Sequence, residues 1–180
     1  MNLYERALKL AIRAHDGQKR KHDGSAYVAH PIIVARLVEE AGFPETVVAA
    51  ALVHDVLEDT AITEAELRQE LGDTVVDIVA RVSEDTVLPW EERKEAYVKK
   101  VLAGGEAVWA VSVADKIHNA GDLVAFHATA GPDSWKVFNR GKEKKIWFER
   151  MLHTELAKVW NHPLLEQYGE KIFQMEALAD

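Results

Sequence analysis

Cysteine is absent from this chain of 180 residues. Its absence excludes disulfide bonds, thiolate zinc sites and a cysteine nucleophile, so any bound metal must be held by histidines and carboxylates. Long apolar runs are also missing, which excludes a membrane span. The N-terminal stretch MNLYERALKLAIRAH is amphipathic and has no small-residue cleavage site. We therefore expect a cytoplasmic protein without a membrane partner.

Positive charge is in deficit, since 22 Lys and Arg stand against 30 Asp and Glu, for a formal net charge of −8. Duplex nucleic acid requires a broad basic surface, so we do not expect a nucleic-acid partner. A local basic cluster could still hold a small anion. The length fits one domain with a sizeable core, and we predict a compact single domain over residues 1–180.

Period-two alternation is scarce, and helical spacing prevails along the chain, which predicts an all-α helical bundle. Pro31 stands where the start of a helix tolerates proline, and Gly42 stands where a helix ends. The predicted helices cover residues 1–15, 31–42, 44–58, 63–72, 73–82, 90–102, 108–124, 134–160 with a break near Gly141, and 163–178, with loops at 17–29 and 83–89 and a turn at 129–133.

The pair His54-Asp55 interrupts the segment VVAAALVHDVLEDT, which is otherwise apolar on nearly every face of a helix. Such a helix is buried, and an ionised carboxylate inside it is costly unless it is compensated. The two side chains can compensate together by binding a cation. Glu58 and Asp59 follow at three- and four-residue spacing on the same helix face, where they could act as an acid–base pair on a water molecule at the metal.

Four residues from three segments are candidate metal ligands. His30 is followed by a proline, and Asp115 lies in the apolar segment AVSVADKIHN. With His54 and Asp55 they offer two imidazoles and two carboxylates. This set suits a divalent ion such as manganese, iron or magnesium, and zinc is the less suited alternative.

Each feature also has a purely structural explanation, and only their joint occurrence argues for a metal. The structural alternatives are a surface dipeptide for His54-Asp55, a solvated helix end for Glu58-Asp59, a helix cap for His30 and an internal ion pair for Asp115-Lys116.

The chain resembles the HD-domain phosphohydrolases, and most closely their RelA/SpoT-type hydrolase branch. The resemblance rests on AHDGQKRK, AYVAHP, AALVHDVLEDT, SED and SVADKIHN, which occur in the family's order and cover about residues 1–125. The later segment WKVFNRGKEKKIWFERML is similar to part of small stand-alone bacterial HD proteins. We therefore expect a metal core within residues 1–125, with helices of residues 134–180 packed on it.

The resemblance implies a manganese-dependent 3′-pyrophosphohydrolase without synthetase activity. Its substrates would be guanosine tetra- and pentaphosphate, the nucleotides of the stringent response, and its products GDP or GTP and pyrophosphate. By the same resemblance, His30, His54, Asp55 and Asp115 match the metal ligands, Glu58 and Asp59 the catalytic pair, Arg20 and Lys21 a basic pair that contacts the nucleotide, and Asn119 a contact to ribose or base.

Departures from the family pattern leave the substrate open. They fall at Ala26, Ser83, Glu84 and His118, where the family lines its nucleotide pocket. One alternative is therefore another nucleotide phosphoester, such as a nucleoside monophosphate or the phosphate of NADPH. Another is a catalytically silent nucleotide-sensing module, although a sensor would have no need of Glu58.

A polyphosphate requires cationic partners beyond a metal ion. Lys116, Lys142 and Arg150 are candidate phosphate contacts, whereas Lys144 and Lys145 are predicted to lie on a solvated face. The remaining basic groups are Lys19, Arg93, Lys94 and Arg140. The aromatic residues predicted in the core are Trp135, Phe138, Trp147, Phe148 and Trp160. The histidines predicted to be structural or at the surface are His15, His22, His127, His153 and His162.

Overall fold

The computed structural model describes residues 1–21 and 23–180, so the prediction for His22 lies outside the described residues. Those residues form α-helices, one 3-10 helix and no strand, which confirms the all-α prediction. The helices are α1 (Leu3–Ala14), α2 (Ala29–Glu40), α3 (Glu45–Leu52), α4 (Val56–Asp59), α5 (Glu64–Leu71), α6 (Asp73–Val82), α7 (Trp90–Leu102), α8 (Glu106–Ala130), the 3-10 helix Gly131–Val137, α9 (Gly141–Ala157) and α10 (Pro163–Glu176).

Helices α2, α3 and α8 pack against one another and form the centre of the molecule. Every residue of α3 from Val47 to Leu52 is buried, because α1, α2, α6 and α8 cover it on all sides. This enclosure explains why the sequence of α3 is apolar without a polar stripe. The three central helices bring separate stretches of the chain to one place.

The predicted continuous helix over residues 44–58 is wrong, because α3 ends at Leu52 and α4 begins at Val56. Val53 leaves helical geometry with φ −122° and ψ 15°. The carbonyl of Ala51 accepts a hydrogen bond from Nδ1 of His54 at 2.7 Å, which gives that carbonyl a partner at the end of α3. His54 and Asp55 therefore lie in the turn between two helices, and the break itself orients them.

Other helix ends differ from the prediction by a few residues. α2 begins at Ala29 rather than at residue 31, and α8 is longer at both ends than the predicted 108–124. The predicted turn at 129–133 is taken up by the last residues of α8 and the start of the 3-10 helix. The break near Gly141 is confirmed, since this glycine begins α9 with a φ of 72° that other residues rarely adopt.

The C-terminal part packs on the rest of the chain through α10, which lies against α8 and α9. Trp135, Phe148 and Trp160 are buried, as predicted, whereas Phe138 and Trp147 are only half-buried. Lys145 does not lie on a solvated face, because it pairs with Glu149, whose side chain is buried. In the part of the chain that the structure describes, no helix is long and apolar enough to cross a membrane.

We predict that Leu152→Ala lowers the free energy of unfolding by about 2–5 kcal/mol, because it opens a cavity in the core. Leu152 lies in α9 and is fully buried. If residues 1–180 form one domain, urea denaturation followed by circular dichroism gives a single transition that moves as a whole. The control Val159→Ala changes a side chain that is 58% exposed and shifts the midpoint little. Two separate transitions would contradict the single-domain prediction.

Candidate metal centre

The structure brings the four predicted ligands together. Nε2 of His30 lies 3.1 Å from Oδ1 of Asp115 and 3.4 Å from Oδ2 of Asp55. Nε2 of His54 lies 3.2 Å from Oδ1 of Asp55 and 3.6 Å from Oδ1 of Asp115. His30, His54 and Asp115 are buried, and their ligand atoms all lie within 4.8 Å of one another. His30 comes from the first turn of α2, so it is part of the helix rather than a cap before it.

His54 supplies the strongest indication of a cation. Its Nδ1 carries the hydrogen that is donated to the Ala51 carbonyl, so Nε2 of the neutral ring bears a lone pair. This Nε2 is buried without a hydrogen-bond partner among the described residues, and it faces two carboxylates. A divalent cation is the partner that a lone pair and two negative charges share. The arrangement therefore fits a metal ion.

Without a cation, a proton takes its place on His54. Burial acts to lower the pKa of this imidazole, but the negative charges of Asp55 and Asp115 outweigh it and raise the pKa to about 9. A metal would displace that proton, since only the neutral ring can bind it.

Asp115 is held by its own helix. Its Oδ2 accepts a hydrogen bond from Nζ of Lys116 at 2.6 Å, and its Oδ1 accepts one from Nδ2 of Asn119 at 2.5 Å. Burial acts to raise the pKa of Asp115, but Lys116 and the two histidines hold it well below the usual range. The ion-pair alternative and the metal alternative thus coexist, because one oxygen faces the lysine and the other faces the histidines.

His118 contacts the opposite side of the His30 ring. The two Nδ1 atoms lie 2.8 Å apart. For Nε2 of His30 to present a lone pair to a metal, its Nδ1 must carry the hydrogen and donate it to His118. Nε2 of His118 lies 3.7 Å from Oδ1 of Asp122, whose other oxygen pairs with Arg20 at 2.6 Å. A chain of polar side chains therefore connects the candidate metal ligand to the basic loop.

Tyr27 is a site residue that the sequence interpretation did not assign. Its hydroxyl lies 2.6 Å from Oδ2 of Asp55 and 2.9 Å from Oδ2 of Asp59. Burial, together with these two carboxylates, raises the pKa of Tyr27. The hydroxyl therefore keeps its proton and shares it between the carboxylates. The available signal was its position three residues before His30 in the segment AYVAHP.

Glu58 reaches the same region from α4. Its Oε1 accepts a hydrogen bond from the backbone N–H of Glu84 at 2.7 Å, and both residues line the cavity above the four candidate ligands. Although the residue as a whole is exposed, desolvation of its carboxyl group raises the pKa to about 7, and repulsion from Asp55 adds to this effect. A carboxyl group with such a pKa can take up a proton at neutral pH.

Two adjoining spaces, the metal cavity and the Arg20 cleft, surround these groups. The metal cavity, which is lined by the candidate ligands, has a volume of about 170 Å³ and also contains Lys116 in its wall. The Arg20 cleft has a volume of about 460 Å³ and adjoins the metal cavity, since Tyr27 and Asn119 line both. The predicted basic residues Arg20 and Lys21 line the cleft together with Asp59. Arg20 also donates a hydrogen bond to Oδ1 of Asn119 at 3.0 Å.

Lys142 and Arg150 are not brought to this site. Lys142 donates to the carbonyl of Leu178 and pairs with Asp180, and Arg150 pairs with Glu176. Both line a surface depression with Glu176 near the C-terminus, because this face of α9 lies beside α10. We therefore leave them out of the site.

The four departures from the family pattern lie at different places around the site. None of them lines the Arg20 cleft among the residues that the structure describes. Glu84 lines the metal cavity, and His118 contacts His30. The hydroxyl of Ser83 donates to the Val79 carbonyl, and Ala26 forms a backbone bridge with Lys19. Two of the departures therefore bear on the metal centre rather than on a base pocket.

Comparison of the sequence with known proteins identifies the family. Residues 7–133 match the family described as HD domain. The chain is 41% identical over 120 residues to the human guanosine-3′,5′-bis(diphosphate) 3′-pyrophosphohydrolase MESH1, a match that covers 65% of this chain and 67% of that protein. It is 39% identical over 116 residues to a Haemophilus influenzae protein named guanosine-3′,5′-bis(diphosphate) 3′-pyrophosphohydrolase. That match covers 61% of this chain but only 17% of the much longer relative.

A solved structure extends the similarity to the C-terminal helices. A metazoan orthologue of SpoT, described as hydrolysing ppGpp, superposes with a TM-score of 0.81 at 25% sequence identity. The superposition covers 99% of this chain and 98% of that one. The shared fold therefore includes α9 and α10, which lie beyond the residues that the HD domain family matches.

We expect His118→Phe to weaken binding of a divalent metal about 10- to 100-fold, because His30 loses the group that fixes its tautomer. His118→Asn keeps an acceptor near the former Nδ1 position and should lose less. The control His153→Phe removes a histidine of α9 that packs on Tyr168, away from the site. Calorimetric titration of metal-free protein with Mn²⁺ measures the affinities. Equal affinity in wild type and His118→Phe would show that the contact between the two rings has no part in holding a metal.

Proposed function

This chain belongs to the HD-domain family, and from that membership we propose that it is a metal-dependent phosphohydrolase acting on guanosine 3′,5′-bis(diphosphate). The observation that carries the proposal is the convergence of two buried imidazoles and two carboxylates beside Glu58 and a basic cleft. The printed names of the relatives support this substrate, since both sequence relatives are called pyrophosphohydrolases of it.

The proposed metal ligands are His30, His54, Asp55 and Asp115. A divalent ion is expected on this donor set, and we propose manganese, with iron, magnesium and zinc as the alternatives. When bound, the ion would polarise a phosphoryl oxygen and lower the pKa of a water from 15.7 towards about 7. Proton transfer and binding of the nucleoside are assigned to side chains of this chain.

The reaction transfers the 3′-diphosphate group to water. The oxygen of water forms a bond to the phosphorus nearest the ribose, and the bond from that phosphorus to the 3′ oxygen breaks. GDP with a free 3′ hydroxyl and pyrophosphate are the products, so the proton that water loses is balanced by the proton that the 3′ oxygen gains. The groups required are one that accepts a proton and one that returns it.

Glu58 is suited to accept the proton, because its pKa of about 7 leaves it partly ionised at neutral pH. The backbone N–H of Glu84 fixes the direction of its carboxylate. Asp59 lies beside the Tyr27 hydroxyl and lines the cleft proposed for the nucleoside, so it is placed to return a proton to the departing 3′ oxygen.

The Arg20 cleft is proposed to hold the nucleoside part. The Arg20 side chain is mostly buried, pairs with Asp122, and lies 5.6 Å from the centre of the Tyr27 ring. A guanidinium that is fixed in this way can stack on a base and also pair with phosphate. Lys21 adds an exposed positive charge, and Asn119 can contact ribose or base. A cytoplasmic location and the lack of a nucleic-acid partner stay predictions from composition.

The direct test is to incubate the purified, manganese-loaded protein with guanosine tetraphosphate and to follow pyrophosphate and GDP by ion-exchange chromatography. We expect stoichiometric release of both, and loss of release after chelation that is restored by adding manganese. A nucleoside monophosphate and NADPH serve as comparison substrates. Faster turnover of either would move the assignment to that phosphoester, and no turnover with the metal bound would favour a sensing module.

We expect Glu58→Gln to lower kcat about 10²- to 10⁴-fold while metal content stays unchanged, because the variant keeps the size but not the basicity. The wild-type rate should rise with pH as Glu58 loses its proton, which for the metal-free protein occurs at about pH 7. A bound cation lowers this pKa, so the rise in the holoenzyme should lie at or below that pH. The rise should vanish in Glu58→Gln. An unchanged pH profile in the variant would exclude Glu58 as the base.

A further inference from the structure

A second basic space, the basic cavity, lies apart from the residues assigned to the metal and to the nucleoside. It has a volume of about 590 Å³ and opens between α7 and the beginning of α9. Its wall contains the cationic side chains of Arg93, Lys94, Arg140 and Lys145. In the part of the chain that the structure describes, no carboxylate residue lines it. For a protein with a net charge of −8 this is an unusual concentration of positive charge.

The basic cavity borders the metal cavity at Glu84. Glu84 lines the metal cavity, and its carboxylate pairs with Lys94 and, at 2.9 Å, with Arg93. The ring of Phe148 lies on the same boundary, with Nζ of Lys94 4.5 Å and Nζ of Lys116 5.8 Å from its centre. Glu84 and Phe148 therefore lie where the two spaces meet.

The charge in the basic cavity is not balanced by its surroundings. Glu84 is shared by two cations, and Lys145 pairs with the buried Glu149. Arg140 makes no hydrogen bond or ion pair with any described residue, although Glu91 feels its charge. Burial lowers the pKa of Lys94, and repulsion from Lys116 and Lys145 adds to this. An anion with several charges would relieve that repulsion.

The Arg20 cleft borders the metal cavity at different residues, namely Tyr27 and Asn119. The metal cavity therefore has the Arg20 cleft along one part of its wall and the basic cavity along another. A substrate with its nucleoside in the cleft and its reacting phosphorus at the metal has one group left to place. That group is the outer phosphate of the 3′-diphosphate.

We propose that the basic cavity binds the outer phosphate of the 3′-diphosphate, and after cleavage the pyrophosphate product. This inference rests on the proposed function, because it assumes a substrate whose 3′-diphosphate group is transferred to water and released as pyrophosphate. The side chains of Arg93, Lys94, Arg140 and Lys145 balance the negative charge of the diphosphate group while it is transferred from the 3′ oxygen to water. The apolar part of the wall is formed by Trp90, Val137, Phe138 and Phe148.

Arg140→Gln is the test variant, since Arg140 is exposed and its side chain makes no hydrogen bond or ion pair with any described residue. Lys144→Gln is the matched control, because it removes one positive charge from the next part of α9 without lining the cavity. Product inhibition of the manganese-loaded enzyme by pyrophosphate and by GDP is measured for each. Binding of pyrophosphate to the metal-free proteins is measured by calorimetry, which gives a readout independent of turnover.

We expect Arg140→Gln to weaken pyrophosphate inhibition and pyrophosphate binding about tenfold, as for loss of one charge-assisted hydrogen bond. GDP inhibition should stay as in the wild type, Lys144→Gln should behave as the wild type, and Arg140→Lys should recover part of the affinity. Equal pyrophosphate affinity in Arg140→Gln and Lys144→Gln would overturn the proposal. Weaker GDP inhibition with unchanged pyrophosphate inhibition would also overturn it, and would assign the cavity to the 5′-diphosphate.

The two proposals fail separately. If guanosine tetraphosphate is not hydrolysed but pyrophosphate binding still depends on Arg140, the substrate assignment is wrong and the anion subsite stands. If the nucleotide is hydrolysed and Arg140→Gln changes neither measurement of pyrophosphate, the proposed function stands and the subsite is wrong.

Discussion

Two carboxylates and two imidazoles share one buried space, and the rest of the structure is arranged around that constraint. Nε2 of His54 faces Asp55 and Asp115 and has no hydrogen-bond partner among the described residues. Lone pairs and negative charge therefore meet here, although Tyr27, Lys116 and Asn119 donate to the two carboxylates. Removing such groups from water is unfavourable unless a positive charge is present. A proton on His54 meets this need in the protein alone, and a divalent ion meets it with more partners.

Helix α8 sets the spacing of several residues of the site. Asp115, Asn119 and Asp122 follow at helical spacing, so one face of α8 presents in turn a metal-facing carboxylate, an amide bonded to it and a partner for Arg20. His118 lies in the same stretch and contacts His30. On the proposed function, the candidate metal ligand and the residues proposed to anchor the nucleotide therefore lie on neighbouring turns of one helix, which suits a reaction that depends on positioning.

The sequence was sufficient for the elements that periodicity and burial determine. The all-α fold follows from helical spacing, and the convergence of His30, His54, Asp55 and Asp115 follows from charges placed in apolar segments. It was not sufficient for the break between α3 and α4, because the apolar pattern continues through Val53 and the break depends on a side chain bonding to Ala51. Contacts between distant segments, such as that of Tyr27 with Asp59, have no local signal at all.

The basic residues show most clearly where sequence reasoning ends. Lys142, Lys145 and Arg140 lie within six positions of one another and look equivalent as letters. The structure turns Lys142 towards the C-terminus, pairs Lys145 with a buried carboxylate, and leaves Arg140 unpaired at a cavity. On the proposed arrangement, a substrate with anionic groups on both sides of the reacting phosphorus contacts two basic spaces, whereas a nucleoside monophosphate contacts only one. Binding energy from the remote phosphate can then be used at the reacting centre, so on this proposal the basic cavity, rather than the metal, selects a 3′-diphosphate over a 3′-monophosphate.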